Sequence, residues 1–266
     1  MAYPYRKFIK PRLGTPLNKG HRLSKGLVGC WLMNEGCGNQ IFDLSGNKNT
    51  GTFSGNTSWT AGQHGYCLSF DGVNDWVDIS DERLPAFGTN DFSVVFLAKN
   101  PRDGLHRYVL SKGSCEAGEI SFYKHAADKF VVYGDNGGIN MPWGDNDSWP
   151  DNLWTHFAAV RSGIVLTLYQ NGIEGRSDTS AGANINTDND WRIGASGSGS
   201  GDYAGQVEYV MIYNRALSAA EIALLYCEPF CMFETTISPV FGSYYIPPVG
   251  NIGIMTTWGG YWGVTY

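Results

Sequence analysis

The 266-residue sequence predicts an all-β fold whose strands face a sandwich core, with one short helix near its C-terminal end. Three features predict it. The 35 Gly and the set of 13 Phe, 15 Tyr and 9 Trp suit short strands joined by many tight turns. Strand-like runs bounded by turn signals recur from residue 27 onward. Helix start and stop signals coincide in one segment.

Taken in order, Leu27 to Met33, Tyr66 to Phe70, Trp76 to Ile79, Phe92 to Ala98, Arg107 to Leu110, Ile120 to Tyr123 and Lys129 to Tyr133 either alternate or are continuously apolar, as strands packed on a core are. Trp154 to Val160 and Val165 to Gln170 follow. Asn171-Gly172 then leads into Ile173 to Arg176, and this pair marks a two-residue hairpin because both central positions need positive φ. Ser218-Ala219-Ala220-Glu221 is a capping box, Ile222, Leu225 and Tyr226 share one face, and Pro229 closes the helix. The Gly/Ser run Ala195 to Gly201 follows a short strand without opening a helix, which predicts a flexible loop.

The net charge of −6 hides three unlike regions. Residues 1–26 hold seven Lys/Arg and no acid, and Pro4, Pro11 and Pro16 exclude a continuous helix, so this is an extended basic arm. It either folds back on its own acidic body or reaches a neighbouring subunit. Residues 27–234 carry 12 basic and 25 acidic side chains. Residues 235–266 carry no charge but seven aromatics and six Gly, a composition that predicts burial against another chain. The expected organisation is therefore a basic arm (1–26), a β domain (27–226) and an aromatic, Gly-rich assembly segment (227–266).

An acidic chain does not favour general nucleic-acid binding. No apolar run is long enough for a membrane span, and no apolar stretch follows the basic start, so no secretory leader is expected. The six cysteines include no Cys-x-x-Cys pair, which weakens a zinc site and favours free, mostly buried thiols.

Gly26-Leu27-Val28-Gly29-Cys30-Trp31-Leu32-Met33-Asn34-Glu35-Gly36, followed by Asp43-Leu44-Ser45-Gly46-Asn47, resembles the opening of the laminin-G-like, concanavalin A-like lectin/glucanase jelly-roll family. Leu68 to Val77 resembles its second strand pair, Trp154 to Val160 with Leu166 to Gly172 its central hairpin, and Ala204 to Ser218 its closing strand and short helix. The resemblance implies a jelly-roll β-sandwich of two antiparallel sheets with Trp31, Phe70, Trp76, Phe96, Trp154 and Leu168 in or near the shared core. It also implies a structural Ca²⁺ held by Asp43, Asn47 and Glu208, although the family usually has Asp where Glu208 stands. The opening Lys10 to Leu17, continued through Gly26 to Trp31, resembles laminin-G-like proteins of phages and prophages.

Catalytic motifs are not found. A retaining glycosidase needs two carboxylates about 5 Å apart, and the family's hydrolases carry a Glu-x-Asp-x-x-Glu strand that this sequence lacks. Asp145/Asp147 and Asp188/Asp190 are suitably spaced but lie in turn-rich loops. Nucleophile, nucleotide and zinc-protease motifs are missing. Trp143 and Trp149, set among Gly, Pro and Asp, are the expected exposed aromatics for sugar stacking.

The sequence thus points to a non-catalytic structural or decoration protein of a tailed bacteriophage virion. Its arms would bind other copies of the chain or capsid or tail proteins, and its displayed domain would meet cell-surface glycans. A free carbohydrate-binding module or adhesin, and a glycan-cleaving enzyme, are the alternatives.

Overall fold

The computed structural model describes residues 9–100, 103–114, 116–135, 139–142, 149–179, 183–198 and 202–234. Residues 235–266 and Trp143 lie outside them. The strands are β1 (Leu27–Trp31), β2 (Gln40–Ile41), β3 (Gly51–Ser54), β4 (Ser58–Ala61), β5 (Tyr66–Asp71), β6 (Trp76–Ile79), β7 (Phe92–Lys99) and β8 (Arg107–Lys112). They continue with β9 (Ile120–Lys124), β10 (Phe130–Gly134), β11 (Ile139–Pro142), β12 (Thr155–Ser162), β13 (Val165–Gln170), β14 (Ile173–Thr179), β15 (Trp191–Ile193) and β16 (Ala204–Tyr213), and then helix α1 (Ala219–Cys227).

They form two antiparallel sheets. One has the order β14-β13-β12-β7-β16-β5-β4, with β1 also paired to β16; the other runs β11-β10-β9-β8-β15-β6-β3-β2. The sheets enclose a core containing Trp31, Phe70, Phe96 and Leu168, the expected positions, together with Phe122, Phe130 and Trp191.

The uninterrupted apolar run of β7 has a structural cause. Val94, Phe96 and Ala98 enter the inter-sheet core, while Val95 and Leu97 point the other way into a second cluster with Leu23, Met211, Ile222, Leu225 and Phe233. The central strand of the first sheet is therefore covered on both faces. The cover consists of α1 and the residues flanking the domain. The helix begins with the predicted box, Ser218 Oγ accepting from Glu221 N–H while the Glu221 carboxylate accepts from Ser218 N–H. Arg215 holds Glu221 at 2.7 Å, and its hydrogen bonds lower that carboxyl to about 2. Asn171 and Gly172 have φ of 50° and 77°, as the predicted hairpin turn requires.

Of the arm expected at 1–26, residues 9–26 lie against this chain's own body. Leu23 is fully buried in the second cluster, Leu17 bridges to Phe233, Asn18 N–H donates to Met232 O at 2.9 Å, and Lys10 is buried. The apolar residues Leu17 and Leu23 interrupt the basic ones and supply the contacts, which net charge alone conceals. The body likewise extends past the expected boundary at 226, because Met232 and Phe233 are buried.

Two expected core tryptophans sit elsewhere. Trp76 is half-buried on the outer face of the second sheet, because its neighbours Val77 and Ile79 take the inward positions of β6. Trp154 packs at the edge of the second cluster rather than between the sheets. Among the described cysteines five are free thiols, with Cys30 and Cys67 buried and Cys37 and Cys227 exposed. Among the described residues no helix is long and apolar enough to cross a membrane.

Candidate functional site

The predicted sugar-stacking residue Trp149 is 2% exposed and belongs to the inter-sheet core, 4.5 Å from the Phe157 ring. Its N–H donates to Asp128 O, which ties the chain there to the turn between β9 and β10. It is not a surface aromatic.

The implied calcium ligands do not fit a shared ion. Asp43 Oδ1 accepts from the N–H groups of Cys30 (2.9 Å) and Ser45 (2.8 Å). Its Oδ2 accepts from Ser45 Oγ (2.8 Å), Asn49 N–H (3.1 Å) and Asn49 Nδ2 (2.8 Å). Five donors make Asp43 the organiser of its turn. Asn47 Nδ2 donates to Val28 O at 2.9 Å, in that same turn. Glu208 has a different set of partners: Gln63 N–H at 2.9 Å, His64 N–H and the Lys10 ammonium. Among the described residues no group of three or more His, Cys, Asp or Glu side chains is arranged to hold a metal ion.

What the fold does assemble is an aromatic and polar surface on the outer face of the second sheet. Alternation assigns it. In β9, Ile120 and Phe122 enter the core, while Tyr123 points to the opposite face of the sheet and is itself buried there, at 9% exposure. Tyr108 is paired with Tyr123 and the rings stack at 4.9 Å and 26°. His106 lies 5.6 Å from Tyr123 and 4.4 Å from His125. Burial, then His125 and Lys124, lower His106 below the ordinary histidine value.

Two strands away, Trp76 Nε1 donates to Asp78 Oδ2 at 2.8 Å, and Arg192 bonds Asp78 Oδ1 at 2.9 Å with its guanidinium 5.1 Å from the Trp76 ring. Between these platforms, in the β15 row, stands Gly194, whose N–H donates to Val109 O. Its φ of +98° is one that L side chains rarely adopt. Tyr133, paired with Ser121, adds a further outward ring.

The Gly/Ser run forms one wall. Its predicted flexibility does not hold over Ala195–Ser198. Ala195 and Ser196 are buried, Ala195 O accepts from Ser111 Oγ at 2.6 Å, and Arg192 Nη1 reaches Ser196 O and Gly197 O. The opposite side is braced by ion pairs: Asp103 with Arg107 at 2.6 Å and with Lys124 at 3.1 Å. Burial raises the Asp103 carboxyl, but these bonds and the Leu105 N–H outweigh it and hold it low.

Among the described outward strand positions of the second sheet the carboxylate is Asp78, already engaged by Trp76, Arg192 and Ser54. Glu119 is likewise occupied by Ser114, Glu116 and Asn189, and Asp188 and Asp190 are exposed. Asp145 and Asp147 lie outside the described residues. A separate shallow cleft of about 420 Å³, lined by Pro16, Leu17, Lys19, Ser24, Leu44, Ser45 and Gly46, contains no aromatic ring.

A sandwich of two antiparallel sheets with this strand order has a lectin-like fold. The model of the concanavalin A-like lectin/glucanases superfamily matches residues 71–223, more than half of the chain, and the chain belongs to that superfamily. No curated protein sequence matches it.

Solved structures that resemble it include the binding domain of paraclostridial mosquitocidal protein 1, at TM-score 0.65 and 18% identity, covering 77% of this chain and 52% of that one. Domain 4 of the extracellular arabinanase AbnA of Geobacillus stearothermophilus, in complex with arabinotriose, gives 0.61 and 19%, covering 75% and 98%. Trypanosoma rangeli sialidase with sialic acid gives 0.60 and 19%, covering 78% and 33%. The chain thus spans about half of the toxin domain, a third of the sialidase and nearly all of the arabinanase domain.

Proposed function

We propose that this protein is a non-catalytic glycan-binding domain that uses the outer face of its second sheet, centred on the half-buried rings of Trp76 and Tyr108, the latter backed by the buried Tyr123. The observation that carries this reading is the pair of ring platforms separated by two strand spacings, about 10 Å, with Arg192, Asp78 and His106 beside them. Flat rings accept the apolar C–H face of a sugar, while adjacent charged groups bond its hydroxyls. Two separated platforms suit an oligosaccharide better than a single sugar.

Two solved relatives of the fold hold a sugar ligand, arabinotriose in one and sialic acid in the other, which supports the ligand class. The non-catalytic reading rests on the engagement of Asp78 and Glu119, which leaves neither poised as one of the two facing carboxylates that retaining hydrolysis requires.

On a glycan array the full chain should bind a restricted set of oligosaccharides. Trp76→Ala and Tyr108→Ala should each weaken binding at least about 10-fold, the scale of an aromatic hot spot, with melting temperatures within a few degrees of the parent. A silent array, or binding indifferent to both substitutions, counts against the reading.

The setting we propose is the virion of a tailed bacteriophage, with the domain displayed as a decoration. The resemblance of its opening residues supports this, as does the uncharged aromatic segment 235–266, suited to contacts with other copies or with capsid or tail proteins. Purified particles should contain the chain in stoichiometric amount, and its absence from them would contradict the setting.

A further inference from the structure

Lys10 occupies an unusual place for a lysine. Its side chain is 3% exposed, and its ammonium donates to Met33 O at 3.3 Å, Glu208 O at 2.8 Å and Tyr66 O, with Glu208 Oε1 at 3.8 Å.

The topology explains why oxygens gather there. Strand β16 pairs with β5 through Ala204–Val207 and with β1 through Val210–Tyr213, so the sheet forks between them. Glu208 stands at the fork as the extra residue of a bulge, where the register against β7 shifts between Val207 and Tyr209. Met33 lies just past the end of β1. Three backbone carbonyls converge at the place where the ladder divides, and buried carbonyls need a donor.

The Glu208 carboxylate is aimed inward by the N–H groups of Gln63 and His64, and the Lys10 N–H donates to His64 O at 3.2 Å. A Cβ at Gly62 would sit 2.9 Å from the Glu208 carboxyl carbon, so a larger residue there would push that side chain from its place.

Three carbonyls and a carboxylate oxygen are the donor set of a hard divalent cation. We infer that this fork is a cation site and that its cation is the tethered ammonium of Lys10, so that the N-terminal segment does the work of a structural metal ion. Burial pushes Lys10 down to about 8 with Glu208 opposing, which leaves the ammonium charged at neutral pH. The reading accounts for Glu208 being claimed from within the chain instead of by an ion shared with Asp43, and it stands independently of glycan binding.

The test is thermal unfolding and calcium titration of the full chain, in EDTA and in millimolar CaCl₂. The parent protein should melt identically in both and bind no calcium at this site. Lys10→Ala should melt roughly 10 °C lower in EDTA, as removal of one partner of a buried ion pair does. It should recover at least half of that loss in calcium with one ion bound per chain, and adding Glu208→Gln should abolish the recovery. Lys10→Ser is the second variant and should behave alike. Calcium binding by the parent that Glu208→Gln removes, or Lys10 variants that calcium fails to restore or to fold, would overturn the inference.

Discussion

Trp149→Ala is expected to destabilise the protein by about 3–5 kcal/mol, and a melting temperature lower by roughly 10 °C checks it. Trp149 is one of the largest fully buried side chains, packed with Phe157 in the inter-sheet core. Truncation would leave a cavity between two sheets whose strands are hydrogen-bonded on both sides and cannot collapse into it. Among the described residues its Nε1 has no hydrogen-bond partner, so Trp149→Phe keeps ring contact while removing a buried N–H that none of them pairs. That variant should cost less than half as much as the alanine. Glycan binding by folded Trp149→Ala at low temperature should be preserved, which separates a core role from a stacking role. A melting temperature unchanged by the alanine would mean that the ring does not fill the core.

The second large effect is a pH dependence carried by His156. This side chain is 1% exposed in β12, with neither ring nitrogen bonded among the described residues and the Tyr226 ring at 5.7 Å. Burial lowers it from an ordinary value of 6.5 to about 3. Because the folded value lies below the unfolded one, the unfolded chain takes up the proton first as pH falls. Stability from this residue is therefore complete above pH 6.5 and is lost progressively below it, by about 1.4 kcal/mol per pH unit until the folded value is reached. Between pH 6.5 and 4.5 the parent should lose roughly 2 kcal/mol more than His156→Phe does. The measurement is unfolding free energy against pH for both proteins. Parallel curves would contradict a buried neutral histidine. The Arg215–Glu221 pair adds its own loss only at lower pH, since the Glu221 carboxyl titrates at about 2 in the folded state and 4.5 is its ordinary value.

These two residues also show what a linear sequence can and cannot carry. The strands of β6 and β13, the Asn171-Gly172 turn and the capping box were legible because each depends on neighbours within a few residues. The inward or outward direction of a tryptophan was not. Trp31 is core and Trp76 is surface, although both open or close a short apolar run. The difference lies in strand alternation fixed by pairing partners more than 100 residues away, such as Ile193 against Val77.

The Tyr108–Tyr123 stack was hidden for a related reason. The register shift between Tyr108 and Leu110 places Tyr108 against Tyr123, and a bulge leaves no mark that composition can reveal. The alternation Ile120-Ser121-Phe122-Tyr123 was the one local sign that Tyr123 faces out. Glu208 was noticed, yet its partner Lys10 lies 198 residues away in a segment whose charge suggested an arm. The short strands β2, β3, β4 and β15 carry too few residues for a period to register.

The central claim is that sugar lies across the outer face of the second sheet. An NMR titration of the full chain with the best oligosaccharide from the array tests it most directly, read at the Trp76 indole N–H, which is hydrogen-bonded to Asp78, and at the Arg192, Gly194 and Tyr108 amides. The account predicts saturable shifts concentrated at those four positions. Shifts that leave them unmoved and gather instead around Leu17, Leu44 and Gly46, at the cleft beside the N-terminal segment, would contradict it.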